Sequence, residues 1–277
     1  MDAEFHGRLR HPSGGLARTQ GMHLWFAVAP LLLLAACASA PTRSGFLSDY
    51  DRMTPQTDAV RAKIEAHRDP DALASVRQVA LQPTELNIPD DWLTPAERRL
   101  LLRELDAQLC FELSERFEFA PDARHQVRAA VTGVAPTGRA ASVASAAAGF
   151  FIPGPLGLRA PGTLGSLSAE VEMLDGERQI AAVTWSRGAM PVGTDNPSLS
   201  RIGDALQFAE PFADSAAAVM TPDGLKARDI PEPDPCARFG PRFRPEGWAA
   251  KFATGLYVPE MSGAKAGAPA GAAQSDP

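Results

Sequence analysis

A cysteine at position 37 closes the run Leu31-Leu32-Leu33-Leu34-Ala35-Ala36-Cys37, and its thiol has the best-defined chemistry in the chain. Ala35 and Ala36 are small enough to enter a signal peptidase cleft, and the sulfur beside them is a nucleophile that can be acylated. Other chemistry has little to work with. Beyond residue 37 the histidines are His67 and His125, and no Gly-x-Ser-x-Gly elbow offers either of them a nucleophile. There is no His-Glu-x-x-His, no Cys-x-x-Cys and no Asp-rich calcium loop, and Gly149, Gly154 and Gly157 match neither nucleotide-binding glycine pattern. Glu170 and Glu172 share one strand face and would mimic a carboxylate pair, but their neighbours predict a solvated face. The expectation is a protein with no catalytic residues, no metal and no cofactor.

Upstream of the cysteine, Arg8, Arg10 and Arg18 supply a positive flank and Leu24 to Ala36 an apolar core. A membrane-spanning helix needs about 20 apolar residues, so this shorter core reads as an export signal and not as an anchor. Leu34-Ala35-Ala36-Cys37 resembles the lipobox of bacterial lipoproteins, in which cleavage precedes the cysteine and the sulfur carries a diacylglycerol. That resemblance implies a mature chain starting at Cys37 and attached to the membrane by acyl chains such as palmitate. Two chains, at about 0.8 kcal/mol per buried methylene, make such attachment effectively permanent. The alternative is an ordinary signal peptide cleaved at Ala38-Ser39-Ala40 with an incidental cysteine. Met22 is a second candidate initiator beside Met1, and either leaves the mature chain unchanged.

Of the 277 residues 22% are charged and 45% hydrophobic, which allows one well-packed domain plus tails. The formal net charge of −6 makes nucleic acid and a polybasic membrane patch poor candidates. With Cys37 acylated, Cys110 and Cys236 are left as a possible disulfide, which the oxidising space beyond the inner membrane would preserve. Two unconnected thiols, one buried and one on a loop, are the alternative.

These groups need elements to position them. From Ala38 to about Ala74 the chain is polar and reads as a tether, with a short helix over Thr57 to His67 and an apolar-aromatic cluster at Gly45-Phe46-Leu47-Ser48-Asp49-Tyr50. That cluster is expected to dock onto the folded domain; a partner-binding hook through Phe46 and Tyr50 is the sharper alternative. Ser75 to Asn87 suits a first strand that Pro83 cuts short. Thr94-Pro95-Ala96-Glu97 is a capping box with proline at the first helical position, and Leu101, Leu102, Leu105, Leu109, Leu113 and Phe117 follow on one face. His125 to Val134 alternates as a strand, and Ser168 to Leu174 pairs through Asp175-Gly176 with Gln179 to Arg187 as a hairpin. A second helix is predicted between Ile202 and Met220, kinked or restarted at Pro211, and a third short one from Pro245 that stacks Trp248, Phe252 and Leu256. The fold class is α+β: a small, mostly antiparallel sheet covered by two helices, on an extended N-terminal tether. Its divisions are a signal peptide 1–36, a lipidated tether 37–74, a domain 75–220, a Pro-rich extension 221–260 and a disordered tail 261–277.

The connection from Ala140 to Leu167 is nearly uncharged and far longer than the 2–5 residues of a typical hairpin loop. One reading is contact with a bilayer or membrane partner through Phe150, Phe151, Ile152 and Leu156. The other, which the small residues favour, is a loop folded over an open edge of the core.

The order of these motifs resembles a family of bacterial outer-membrane lipoproteins known only as a domain of unknown function. Its Gly-Phe-Leu-x-Asp-Tyr motif is matched by Gly45 to Tyr50, its Arg-Ala-Ala-x-Thr-x-Val strand by Arg128 to Val134, and its Ser-x-Glu-x-Glu-x-Leu-Asp turn by Ser168 to Asp175. The resemblance covers roughly residues 44–220; Asp51-Arg52-Met53 and the long C-terminal extension depart from it. It implies an outer-membrane lipoprotein facing the periplasm and supplies no catalytic residues. The expected function is non-enzymatic: binding or scaffolding an unknown envelope protein partner, with the membrane reached through Cys37. A periplasmic hydrolase or small-ligand binder is the alternative, and assembly through a sheet edge a third possibility.

Overall fold

In the computed structural model the described residues are 43–262, apart from 57–60, 90–91, 139–141, 143–156, 160–163, 194 and 243. Their strands are β1 (Thr54–Pro55), β2 (Lys63–Arg68), β3 (Gln78–Leu81), β4 (Glu85–Leu86), β5 (Glu118–Phe119), β6 (His125–Ala135), β7 (Gly157–Leu158), β8 (Ser166–Asp175), β9 (Arg178–Gly188) and β10 (Val192–Gly193). Their helices are α1 (Pro70–Leu73), α2 (Pro95–Ser114), α3 (Gly203–Met220), α4 (Pro245–Thr254) and α5 (Pro259–Ser262).

The main sheet runs β1-β2-β9-β8-β6-β3-β5, with β4 also on β6, while β7 and β10 form a separate pair. From β1 to β6 the neighbours are antiparallel; β3 and β4 join β6 in parallel, and β5 joins β3 in parallel. The fold is therefore α+β with a mostly antiparallel sheet covered by two helices. Its central hairpin turns at Gly176, whose φ of 63° is a left-handed conformation open to glycine. The strict alternation of β6, β8 and β9 sends Val127, Ala129, Val131, Ala169, Val171, Met173, Ala181, Val183 and Trp185 to one face, where all are buried.

Helix α2 starts where local chemistry dictates. Thr94 Oγ1 accepts the Glu97 N–H, and the Glu97 carboxylate accepts the Thr94 N–H at 2.9 Å. Leu101, Leu105, Leu109 and Leu113 then line its fully buried side. Helix α3 lies on β8 and β9 and packs against α2. Trp185 meets Phe208 and Phe212 of α3, with ring centroids 6.4 and 5.9 Å apart. The helix runs unbroken through Pro211, so of the kink or fresh start expected there the fresh start does not occur.

Three expectations need correction. The helix expected over Thr57 to His67 is replaced from Lys63 onward by strand β2, because Ile64 and Ala66 point to the core while Glu65 and His67 alternate outward. The supposed tether is folded from Arg43 onward, with Leu47 and Met53 buried against the sheet. The single strand expected over Ser75 to Asn87 is two short ones, β3 and β4, separated at Pro83, which has no N–H to give. Among the described residues no helix is long and apolar enough to cross a membrane.

Candidate functional site

The face of the sheet opposite the helices is polar, and Arg43 to Met53 crosses it. Two carboxylates on β8 hold the segment. Glu170 accepts the Ser44 N–H at 3.0 Å, the Ser44 hydroxyl at 2.6 Å and the Tyr50 hydroxyl at 2.7 Å. Glu172 accepts the Ser48 N–H at 3.0 Å, the Ser48 hydroxyl at 2.7 Å, Arg128 Nε at 2.6 Å and Gln179 Nε2 at 2.7 Å. Glu170 and Glu172 are 1% and 0% exposed, so the solvated face expected for them is wrong. Alternation placed them off the hydrophobic core correctly; what it could not reveal was a chain segment lying over them from 120 to 126 residues upstream.

Arg128 of β6 completes the arrangement. It donates to the Phe46 carbonyl at 3.1 Å, and its guanidinium stands 4.9 Å from the centre of the Phe46 ring. The Tyr50 hydroxyl also accepts the N–H groups of Gly45 and Leu47 at 3.0 and 3.1 Å, folding the segment around itself. Gly45 has a φ of 82°, and its lack of a side chain is what permits that bend. Burial, followed by the carboxylate of Glu170, raises the Tyr50 pKa above its ordinary value, so the phenol remains a donor at neutral pH. The Gly-Phe-Leu-Ser-Asp-Tyr cluster is thus docked on the domain, and Phe46 and Tyr50 are both half-buried.

Chemically the face is one where buried carboxylates hold a segment of the same chain. Both carboxylates are surrounded by donors, and His67 on the same face has a buried Nε2 without a hydrogen bond. Burial and the nearby Arg52 lower the His67 pKa, which favours the neutral ring. His125 is half-buried with Nε2 3.9 Å from Asp175, whose carboxylate is bound by Arg124. Among the described residues no group of three His, Cys, Asp or Glu side chains is placed to hold a metal ion.

Cys110 on α2 and Cys236 are joined in a disulfide with Cα atoms 5.9 Å apart. Beside it Arg242 grips Asp234 through Nε at 2.7 Å and Nη2 at 2.8 Å, and donates to the Phe111 carbonyl at 3.0 Å and the Ser114 hydroxyl at 2.8 Å. Disulfide and guanidinium together fasten the Pro-rich extension to α2. An open cleft of about 430 Å³ lies next to them, lined by Val79, Leu81, Phe119, Pro121, Pro235 and Arg238.

Cys37, Phe150, Phe151, Ile152 and Leu156 lie outside the described residues, as do the side chains of Trp248 and Phe252. The far end of the long apolar connection is anchored by a feature that composition did not reveal. Arg159 is buried against Asp204 of α3, with Nη2 2.9 Å from Oδ2. Asp204 also accepts the Thr137 hydroxyl at 3.0 Å and the Gly165 N–H at 2.8 Å.

The family described as Protein of unknown function (DUF3313) matches residues 42–216. The chain belongs to the DUF3313 family. The match takes in the docked segment, the whole main sheet and most of α3, and ends before the strapped C-terminal extension. Among solved structures, this DUF3313 chain is similar at 12% identity to a variant of the PelC dodecamer from Paraburkholderia phytofirmans, with 58% of this chain and 98% of that one covered and a TM-score of 0.35. A second PelC dodecamer structure from that organism shows 13% identity, coverage of 55% and 96%, and a TM-score of 0.33. No curated protein matches the chain.

Proposed function

We propose that this DUF3313 protein is a lipoprotein of the bacterial outer membrane, anchored through acylated Cys37 with its domain in the periplasm. Its role in this reading is non-enzymatic: it binds or scaffolds another envelope protein. The observation that carries the proposal is the accounting of the three cysteines. Cys110 and Cys236 are bonded to each other, a state that persists in oxidising compartments, and the remaining cysteine follows Leu34-Ala35-Ala36 at the end of an apolar run.

The polar face supports a binding role over a catalytic one, because its carboxylates are engaged by the protein's own backbone and hydroxyls. Candidate partner contacts are Phe46, Tyr50 and the Phe150 to Leu156 stretch, together with the exposed side chains of Met190 and Leu199. A second reading, a periplasmic small-ligand binder or hydrolase, is favoured only by the cleft beside the disulfide, whose mixed polar and apolar lining with Arg238 would suit a small anionic ligand.

Replacing Cys37 with alanine tests the anchor. The substituted protein should leave the membrane fraction and incorporate no radiolabelled palmitate; palmitate entering the Cys37→Ala protein would show that the lipobox assignment is wrong. Crosslinking in intact cells, followed by identification of what co-purifies, tests the scaffold role.

A further inference from the structure

The polar face beneath Ser44 to Met53 is incompletely satisfied. Cross-strand register sets Glu65, Thr184 and Glu170 in one row and His67, Ala182 and Glu172 in the next. Thr184 is fully buried, yet its hydroxyl has no hydrogen-bond partner. The same holds for Gln179 Oε1, Glu65 Oε2 and His67 Nε2, although Arg43 stands 3.7 Å from the Glu65 carboxylate. Docking therefore removes water from polar groups that it does not pair, and that loss opposes it.

The apolar grip is also small. Leu47 and Met53 meet Ala182 in a cluster separate from the main core. What favours docking is hydrogen bonding to the sheet: the Ser44 N–H and hydroxyl and the Tyr50 hydroxyl donate to Glu170, the Ser48 N–H and hydroxyl to Glu172, Arg128 to the Phe46 carbonyl and Arg52 to the Gln179 carbonyl, while the Gly45 and Leu47 N–H groups close on Tyr50 within the segment and lose that acceptor's anchorage when it lifts. Below, β2, β9, β8 and β6 remain paired to one another whether or not the segment is in place. A segment with this balance opens ahead of the core.

We propose that Ser44 to Met53 is a releasable clasp that sets how far the domain reaches from Cys37. The reach rests on the lipid anchor proposed above, whereas the opening does not. With the clasp docked, the chain from Cys37 to Ser44 spans at most about 25 Å when fully extended. With it released up to Thr54, where β1 pairs with β2, the free chain spans at most about 60 Å. Release also uncovers the Glu65, Glu170 and Glu172 carboxylates. One domain thus has two working depths in the envelope, and its acidic face is available only in the longer one.

Amide hydrogen exchange on the mature chain starting at Cys37 tests the clasp, because its N–H groups are held by the contacts at issue. The amides of Gly45, Leu47 and Ser48 should exchange faster than those of β8 and β9 and with less dependence on denaturant. Tyr50→Phe should accelerate them about tenfold or more while leaving β8 and β9 unchanged, and Thr184→Val, which removes the orphan hydroxyl, should slow them about tenfold. Exchange of both regions at one rate with one denaturant dependence would overturn the clasp. Neutron reflectometry on the acylated protein in a supported bilayer tests the reach: the paired change Glu170→Ala with Glu172→Ala, which removes the acceptors of Ser44, Ser48 and Tyr50, should raise the mean height of the domain, and an unchanged height in a variant whose Gly45, Leu47 and Ser48 amides have lost all protection while β8 and β9 keep theirs would overturn it. Finding no acyl group on Cys37 would overturn the anchor and leave the exchange result standing.

Discussion

Asp204 offers the sharpest stability test, since one carboxylate ties three separate stretches of chain to the start of α3. It is fully buried and accepts from Arg159, from the Thr137 hydroxyl and from the Gly165 N–H, while the Arg159 side chain is itself 1% exposed. Asp204→Ala would leave a guanidinium without this carboxylate in a site closed to water, and would strip an acceptor from two neutral donors. Breaking a buried ion pair by removing one partner costs about 3–5 kcal/mol. For a domain of this size each kcal/mol moves the melting temperature by about 2–4 °C, so a loss on the order of 10 °C is expected. Asp204→Asn keeps an acceptor oxygen and should lose less. The paired change Arg159→Met with Asp204→Leu removes both charges and should recover most of the loss, because apolar replacement of a whole buried pair is often neutral. Urea and thermal unfolding of the three variants at neutral pH measure all of this. A loss below about 1 kcal/mol for Asp204→Ala would refute the reasoning, and a paired variant less stable than Asp204→Ala would refute the attribution to the broken Arg159–Asp204 pair.

Two further outcomes follow from the C-terminal strap. Reducing the Cys110–Cys236 bond, or replacing both cysteines with alanine, should cost about 2–5 kcal/mol, read as a lower urea midpoint; wild-type and double-substituted proteins with equal midpoints in the absence of reductant would contradict a stabilising role. Arg242, with help from the Cys236 N–H, holds the Asp234 carboxyl below its ordinary value of 3.8. Its stabilising contribution is complete above that value and is lost as pH falls through the lower folded one. Acid should therefore loosen the extension, and Asp234→Asn should remove that part of the pH dependence; an identical acid profile for the two proteins would count against the pairing.

What local sequence could announce, it announced. The capping box at Thr94 to Glu97, the leucine stripe after it and the Asp175-Gly176 hairpin are interactions among near neighbours, and each stands in the structure. The departures at β2 and at the two glutamates involve partners distant in sequence. Lys63–Arg68 is too polar to look like a strand until β9 is placed beside it, which buries Ala66 and leaves Glu65 and His67 on the opposite face. Glu170 and Glu172 looked solvated because nothing near them in the chain could cover them. Their cover comes from Ser44, Ser48 and Tyr50, and a fixed place for carboxylates opposite a run of serines and a tyrosine is not encoded by any periodicity. Arg159 was the one charge in an otherwise apolar connection, and that isolation was the available hint that it had a buried partner.

The consequence for the envelope reading is one of distance. If Cys37 carries the proposed lipid, docking from Ser44 onward leaves a much shorter free chain than a tether running to residue 74 would, and opening of the clasp lengthens it. Both states are defined relative to the sulfur of Cys37. Intact-mass spectrometry of the protein extracted from bacterial membranes addresses that sulfur directly. The account predicts a chain whose first residue is Cys37 with its mass raised by a diacylglycerol; an unmodified N-terminus downstream of residue 37 would contradict it.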